Sequence, residues 1–182
     1  ITGDKIAYSY NKRICAFDSI CYDGVQILQK PLMFNFFRAP VDNDVMKGDW
    51  YRAHLNDWIT KNYETSVVTE NGKVIISQKQ SVGWSIHQPI AFMDVRYEIS
   101  SAGLDISTNV KMSEKVLLLP RFGIRLFVDK SFEDVSYYGY GPYESYIDKH
   151  QASYLAKFTD KVSRMHEDYI KPQENSSHWG CK

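Results

Sequence analysis

From residue 63 to residue 128, apolar and polar positions alternate along the chain with a period of two. Val95, Tyr97 and Ile99 interleave with Asp94, Arg96 and Glu98. Leu104, Ile106, Thr108, Val110 and Met112 alternate with polar partners in the same way, as do Phe122, Ile124, Leu126 and Val128. Successive side chains of an extended strand point to opposite faces, so this spacing predicts strands with one face turned to a core. Asn71-Gly72 separates the strands predicted over 63–69 and 73–79, and Ala102-Gly103 separates the next two, which predicts two hairpins. The N-terminal part carries shorter apolar runs at 5–10, 14–17, 20–22 and 25–28, with turn signals at Asn11-Lys12 and Asp23-Gly24. No helix long enough for a parallel crossover is predicted between strands, so antiparallel sheets are expected.

Two segments break the pattern. Residues 31–44 are dense in Pro, Asn, Asp and aromatics with no period, and read as an ordered loop. Residues 49–60 predict the one short helix, with Asp49 as N-cap, Tyr51, Leu55, Trp58 and Ile59 on one face, and Lys61 or Asn62 at its end. The expected architecture is a mainly β, antiparallel sandwich, a single domain over 1–182 with one helical insertion.

Composition mostly excludes. The 182 residues are 43% hydrophobic and 24% charged, an ordinary globular mixture able to bury a core. The 13 Tyr, 9 Phe and 4 Trp suit strands, and flat rings also suit the apolar face of a sugar. Net charge is zero and no basic stripe is present, which argues against nucleic acid and against an anionic membrane surface. No apolar window approaches the ~20 residues of a membrane span. The N-terminus has no signal-peptide pattern. Cys15, Cys21 and Cys181 form no disulfide framework, although Cys15 and Cys21 could meet across a hairpin. Reduced thiols and a cytoplasmic location are therefore expected.

Candidate chemistry is sparse. Asp42, Asn43 and Asp44 are adjacent oxygen donors, but an EF-hand calcium loop begun there would need Gly and Glu where Lys47 and Ala53 stand. Turns held by side-chain-to-backbone hydrogen bonds are the preferred reading. The five histidines have no paired spacing suited to zinc. The segment from Tyr138 to Pro142 is glycine-rich, but Tyr140-Gly141-Pro142 reads as a turn, with no following helix carrying a Lys to make a phosphate cradle. Glycoside hydrolysis needs two carboxyl groups ~5 to 9 Å apart. Glu144 and Glu174 lie in polar loops that suit a sugar surface, and turn stabilisation or interdomain contact is preferred for them.

Three segments carry a resemblance. They are Asn35-Phe36-Phe37-Arg38-Ala39-Pro40-Val41-Asp42-Asn43-Asp44 (after Pro31-Leu32), Tyr138-Gly139-Tyr140-Gly141-Pro142-Tyr143-Glu144-Ser145-Tyr146, and Tyr169-Ile170-Lys171-Pro172-Gln173-Glu174-Asn175. Together and in this order they resemble the N-x-x-R-A-P-x-D-N-D, G-x-G-P-x-E-x-Y and Y-x-x-P-Q-E-N segments of family 2 β-galactosidases, over essentially the whole chain.

The resemblance implies the C-terminal small-chain region, a truncated β-supersandwich of the galactose-mutarotase type. It implies that the catalytic glutamates and the magnesium and sodium sites belong to a barrel domain N-terminal to this region, leaving no catalytic residue and no cofactor here. The chain would then be an accessory domain of an enzyme that hydrolyses terminal β-D-galactose residues. Its partners would be that barrel, the galactoside through the parent enzyme, and further copies of itself. Asn35, Arg38, Asp42, Asn43, Asp44, Gly141, Pro142, Glu144, Tyr146, Gln173, Glu174 and Asn175 would be structural or interdomain residues. Arg38 offers five rigid donors, and Asp42 and Asp44 are natural partners for it or for loop amides, while Pro40 and Pro142 restrict the backbone. Two other readings stay open. One is a free-standing carbohydrate-binding module using Trp84 or Trp179. The other is an aldose-epimerase-like enzyme pairing His166 or His178 with Glu144 or Glu174.

Overall fold

The computed structural model describes residues 1–116 and 118–182. Two compact units emerge, one made of Ile1–Arg38 with Met46–Val128, the other of Ala39–Val45 with Asp129–Lys182.

In the first unit, β1 (Ile6–Asn11), β2 (Ala16–Tyr22) and β3 (Val25–Gln26) form a three-stranded antiparallel sheet. Strand β4 (Met33–Asn35) pairs with β9 (Gly123–Arg125). Between them in sequence lies an antiparallel meander of β5 (Ile59–Glu70), β6 (Lys73–Gly83), β7 (Ala91–Ser100) and β8 (Gly103–Met112). The period-two expectation holds here: Val95, Tyr97 and Ile99 are buried, while Asp94 and Arg96 are exposed. Phe17 of β2, fully buried, meets Tyr97 of β7 edge-on with ring centroids 5.1 Å apart, so the two sheets pack face to face as a sandwich. Gln78 of β6 ties the layers through a hydrogen bond to the Cys15 carbonyl at 2.7 Å. The hairpins turn at Asp23-Gly24 and Asn71-Gly72, whose φ angles are all positive, as a two-residue turn of type I′ requires.

Three expectations are corrected. The helix, α1, covers only Lys47–Arg52, so Asp49 lies inside its first turn and pairs with Arg52 instead of capping it. His54 has φ 55, and the N–H groups of His54 and Leu55 bond the carbonyls of Tyr51 and Trp50 at 3.0 Å each. That left-handed Schellman ending stops the helix, and its apolar signal is met by irregular chain. Leu55 is buried from a turn, Trp58 packs on Phe36, and Ile59 opens β5 exposed. Residues 31–44 contain a strand, β4, because Leu32, Phe34 and Phe36 alternate inward. The third correction concerns residues 122–128. Only Gly123–Arg125 pair continuously there, and Phe122, Ile124, Leu126 and Val128 stand 44% to 52% exposed.

In the second unit, β10 (Asp134–Gly141) and β11 (Tyr154–Lys161) form an antiparallel ribbon from Asp134↔Lys161 to Gly141↔Tyr154. The turn expected at Tyr140-Gly141-Pro142 falls at its end: β10 runs through Gly141, and the chain bends at the cis Gly141-Pro142 bond. A Cβ on Gly141 would collide with the Tyr137 hydroxyl and the Phe158 ring, so the bend needs glycine for space. All three cysteines are free, with Cys15 in a turn and Cys21 opposite Ala7. No helix is long and apolar enough to cross a membrane among the described residues.

Candidate functional site

The first and third motif segments meet in the second unit. The N–H of Ala39 donates to Glu174 Oε2 and that of Asp42 to Gln173 Oε1, each at 3.0 Å. Lys171 Nζ lies 3.3 Å from Asp42 Oδ1. Both members of that pair are largely exposed, so it contributes about 0–1 kcal/mol, and the backbone hydrogen bonds define the geometry. Asp44 Oδ2 accepts the Val41 N–H at 2.6 Å, and the Asn43 carbonyl accepts the Val45 N–H at 3.0 Å. The adjacent Asx residues thus build a turn, as the sequence suggested.

Asn175 holds the other side of this junction. Its Nδ2 donates to the Glu167 carbonyl at 2.6 Å and its Oδ1 accepts the Glu167 N–H at 2.9 Å, imitating a strand partner. Asn35 and Arg38 belong to the first unit. Asn35 bonds the Phe37 backbone on both sides, and the Arg38 guanidinium sits 5.2 Å from the ring centre of buried Trp50. Such stacking suits a weakly hydrated planar cation.

The second motif joins the third through Glu144. Its side chain is 4% exposed, and Oε1 accepts the Tyr169 hydroxyl at 2.5 Å with Lys149 Nζ 3.6 Å away. Lys149 Nζ also donates to Tyr169 Oη at 2.9 Å. The Glu144 hydrogen bond pushes the Tyr169 phenol up, and the Tyr169 hydrogen bond raises Lys149. Glu144 Oε2 is buried with no hydrogen-bond partner among the described residues. Ser145, also buried, accepts the Trp179 N–H on its hydroxyl at 3.0 Å, and its own N–H bonds the Ser177 carbonyl at 2.8 Å. Tyr146 and Lys149 exchange backbone hydrogen bonds across a tight turn. Tyr169 opens the third motif segment, but Lys149 was not singled out in the sequence, and no spacing marks a lysine five residues after Glu144 as its partner.

This arrangement holds loops in shape. Glu144 and Glu174 are engaged by different partners, Tyr169 and a backbone N–H. His166 pairs with Asp168 at 3.2 Å, and His178 Nδ1 donates to the Tyr140 carbonyl at 3.2 Å. Trp84 is covered by the stacked ring of His54 at 4.2 Å, and Trp179 by the tilted ring of His150 at 4.5 Å between centroids. Among the described residues no group of three or more His, Cys, Asp or Glu is placed to hold a metal ion.

Fold and loops together define an antiparallel β-sandwich protein with braced polar loops. The family model described as β-galactosidase small chain matches residues 2–182, and the chain belongs to that family. It is 35% identical over 184 residues to a β-galactosidase of Actinobacillus pleuropneumoniae, covering 100% of this chain and 18% of that protein. Over 178 residues it is 32% identical to a β-galactosidase of Staphylococcus xylosus, covering 97% of this chain and 18% of that one. A β-galactosidase of Streptococcus thermophilus is 30% identical over 167 residues, which are 88% of this chain and 16% of the relative. The chain therefore spans less than a fifth of the length of the relatives it matches.

Proposed function

We propose that these 182 residues act as one accessory domain of a family 2 β-galactosidase, bracing a catalytic body carried elsewhere in the longer protein. The observation that carries this reading is the junction at Ala39, Asp42, Gln173 and Glu174, where side chains of one motif segment fix the backbone of another. Such bonds hold irregular loops in one shape for a neighbour to pack against. The names of the relatives support galactoside hydrolysis as the parent activity. The exposed row Phe122, Ile124, Leu126 and Val128 supports a covering partner, either the barrel or another copy. Free thiols at Cys15, Cys21 and Cys181 support a reducing, cytoplasmic compartment.

The test uses the longer protein. Arg38→Ala should lower hydrolysis of a chromogenic β-galactoside or weaken assembly without abolishing the chemistry. The isolated 182 residues should hydrolyse none of it. Unchanged activity together with unchanged thermal stability in Arg38→Ala would sink the bracing role, and hydrolysis by the isolated chain would sink the accessory role.

A further inference from the structure

A second place in the molecule carries chemistry that loop bracing does not use. A cavity of about 250 Å³ lies in the first unit between the end of α1, the β6–β7 connection and the chain after β8. His54, Trp84 and His87 form one aromatic wall: the His54 and Trp84 rings are stacked with centroids 4.2 Å apart and planes within 7°. His87 stands 5.1 Å from Trp84 and 5.5 Å from His54. Buried Leu55 and Ile90 supply an apolar floor.

The polar groups of the lining are unevenly charged. Asp49, its one carboxylate among the described residues, is held by Arg52, which also lines the cavity. Lys115 lines it too, and its ammonium has no ion-pair partner among the described residues. Asp57 takes His54 Nδ1 at 3.0 Å, which fixes that ring's orientation against Trp84. His54 therefore serves as a flat wall, while His87 and Lys115 offer N–H donors. Holding a histidine at φ 55 costs about 1–2 kcal/mol relative to right-handed backbone, and the stack and Asp57 keep it there.

We propose that this cavity binds a small organic anion, a phosphate or carboxylate on a body of one ring. The ring lies against the Trp84–His87 wall, and the anionic group is held by Lys115 with His87. A neutral sugar fits the lining less well, because the one carboxylate that would accept its hydroxyls is already tied to Arg52. The volume matches a single ring and little more. The site stands whether or not the parent protein cleaves galactosides.

The experiment is isothermal titration of the intact protein that carries this chain with three probes: a hexose 6-phosphate, benzoate and the neutral hexose. Binding by either anion that Lys115→Ala weakens, with any neutral-hexose binding unchanged by that variant, supports the site, and the two anion arms tell a sugar body from an aromatic one. Lys115→Ala should weaken the anion about tenfold, the loss of one charge-assisted hydrogen bond, and His87→Ala should weaken it as well. Galactoside hydrolysis measured on the same variants should not change, so failure here is distinguishable from failure of the proposed function. Neutral-hexose binding weakened as much as the anion by Lys115→Ala would overturn the anion assignment. No binding of any probe at about 10 mM, or anion binding untouched in both variants, would overturn the site.

Discussion

Gln173 Oε1 accepts the backbone N–H of Asp42 at 3.0 Å, joining two motif segments that lie 131 residues apart in sequence. Both partners reach solvent, so water replaces the carboxamide at little cost once it is removed. Gln173→Ala should lower global stability by no more than about 1 kcal/mol. Its signature is local: the Asp42 amide should exchange with deuterium markedly faster while the amides of β6 and β7 do not. Equal protection at Asp42 in both proteins would show that this bond does not hold the loop.

Phe17 is fully buried beneath Tyr8, Tyr10 and Tyr97, with ring centroids 5.1 to 5.9 Å away. Removing it leaves a hole between two sheets that cannot collapse without breaking strand pairs. Phe17→Ala should cost about 3–5 kcal/mol by denaturant unfolding, whereas Ile124→Ala on the exposed row should cost far less. Similar losses would place the core elsewhere.

The left-handed residue ending α1 gives a paired test. His54→Ala removes the stack on Trp84 but keeps a Cβ in the unfavourable backbone region. His54→Gly removes both. The glycine variant should be the more stable of the two by about 1 kcal/mol in thermal unfolding, because the side chain is absent from each and only backbone strain differs. An alanine variant of equal or greater stability would argue against the Schellman ending.

Burial pushes the phenols of Tyr97 and Tyr10 well above the ordinary tyrosine range, with the nearby Cys15 thiol adding to the shift. A group whose folded pKa exceeds its unfolded value stabilises fully below the unfolded value. That contribution is lost as pH climbs from the unfolded toward the folded pKa. Stability should therefore decline above about pH 10. An absorbance titration at alkaline pH should show these two phenols ionising only with the loss of circular dichroism. Early ionisation of both in the folded protein would contradict their placement between the sheets.

Gly141 sits where an added methyl would strike Tyr137 and Phe158. Gly141→Ala should destabilise the β10–β11 ribbon by about 1–3 kcal/mol, read as lost exchange protection at Ser136 and Thr159. No change would mean that the rings move aside freely.

Much of the first unit was legible because one face of each strand is buried, and burial writes alternation into the residues. Val95, Tyr97 and Ile99 announce β7 for that reason, and Asn71-Gly72 announces its turn by a backbone requirement few residues meet. The helix was overextended because Leu55 and Trp58 are apolar for the sake of the core while lying outside any helix. Strand β4 was passed over although Leu32, Phe34 and Phe36 alternate, since prolines and Asx residues on either side dominated the reading. The motif residues were found by resemblance, but which of them pair was not. A hydrogen bond from Asp42 to Gln173, or from Tyr169 to Glu144, depends on three-dimensional juxtaposition that no local pattern encodes.

Strands β5 to β8 pair only with their neighbours in the chain, whereas β4 reaches β9 across the entire meander. Chain closure therefore becomes entropically demanding only at the last of these pairings. During synthesis the four-stranded ribbon can assemble as soon as Met112 emerges, well before residues 123–125 are available to clasp β4. Birth order and pairing order coincide, and Phe34 of β4 waits longest for cover.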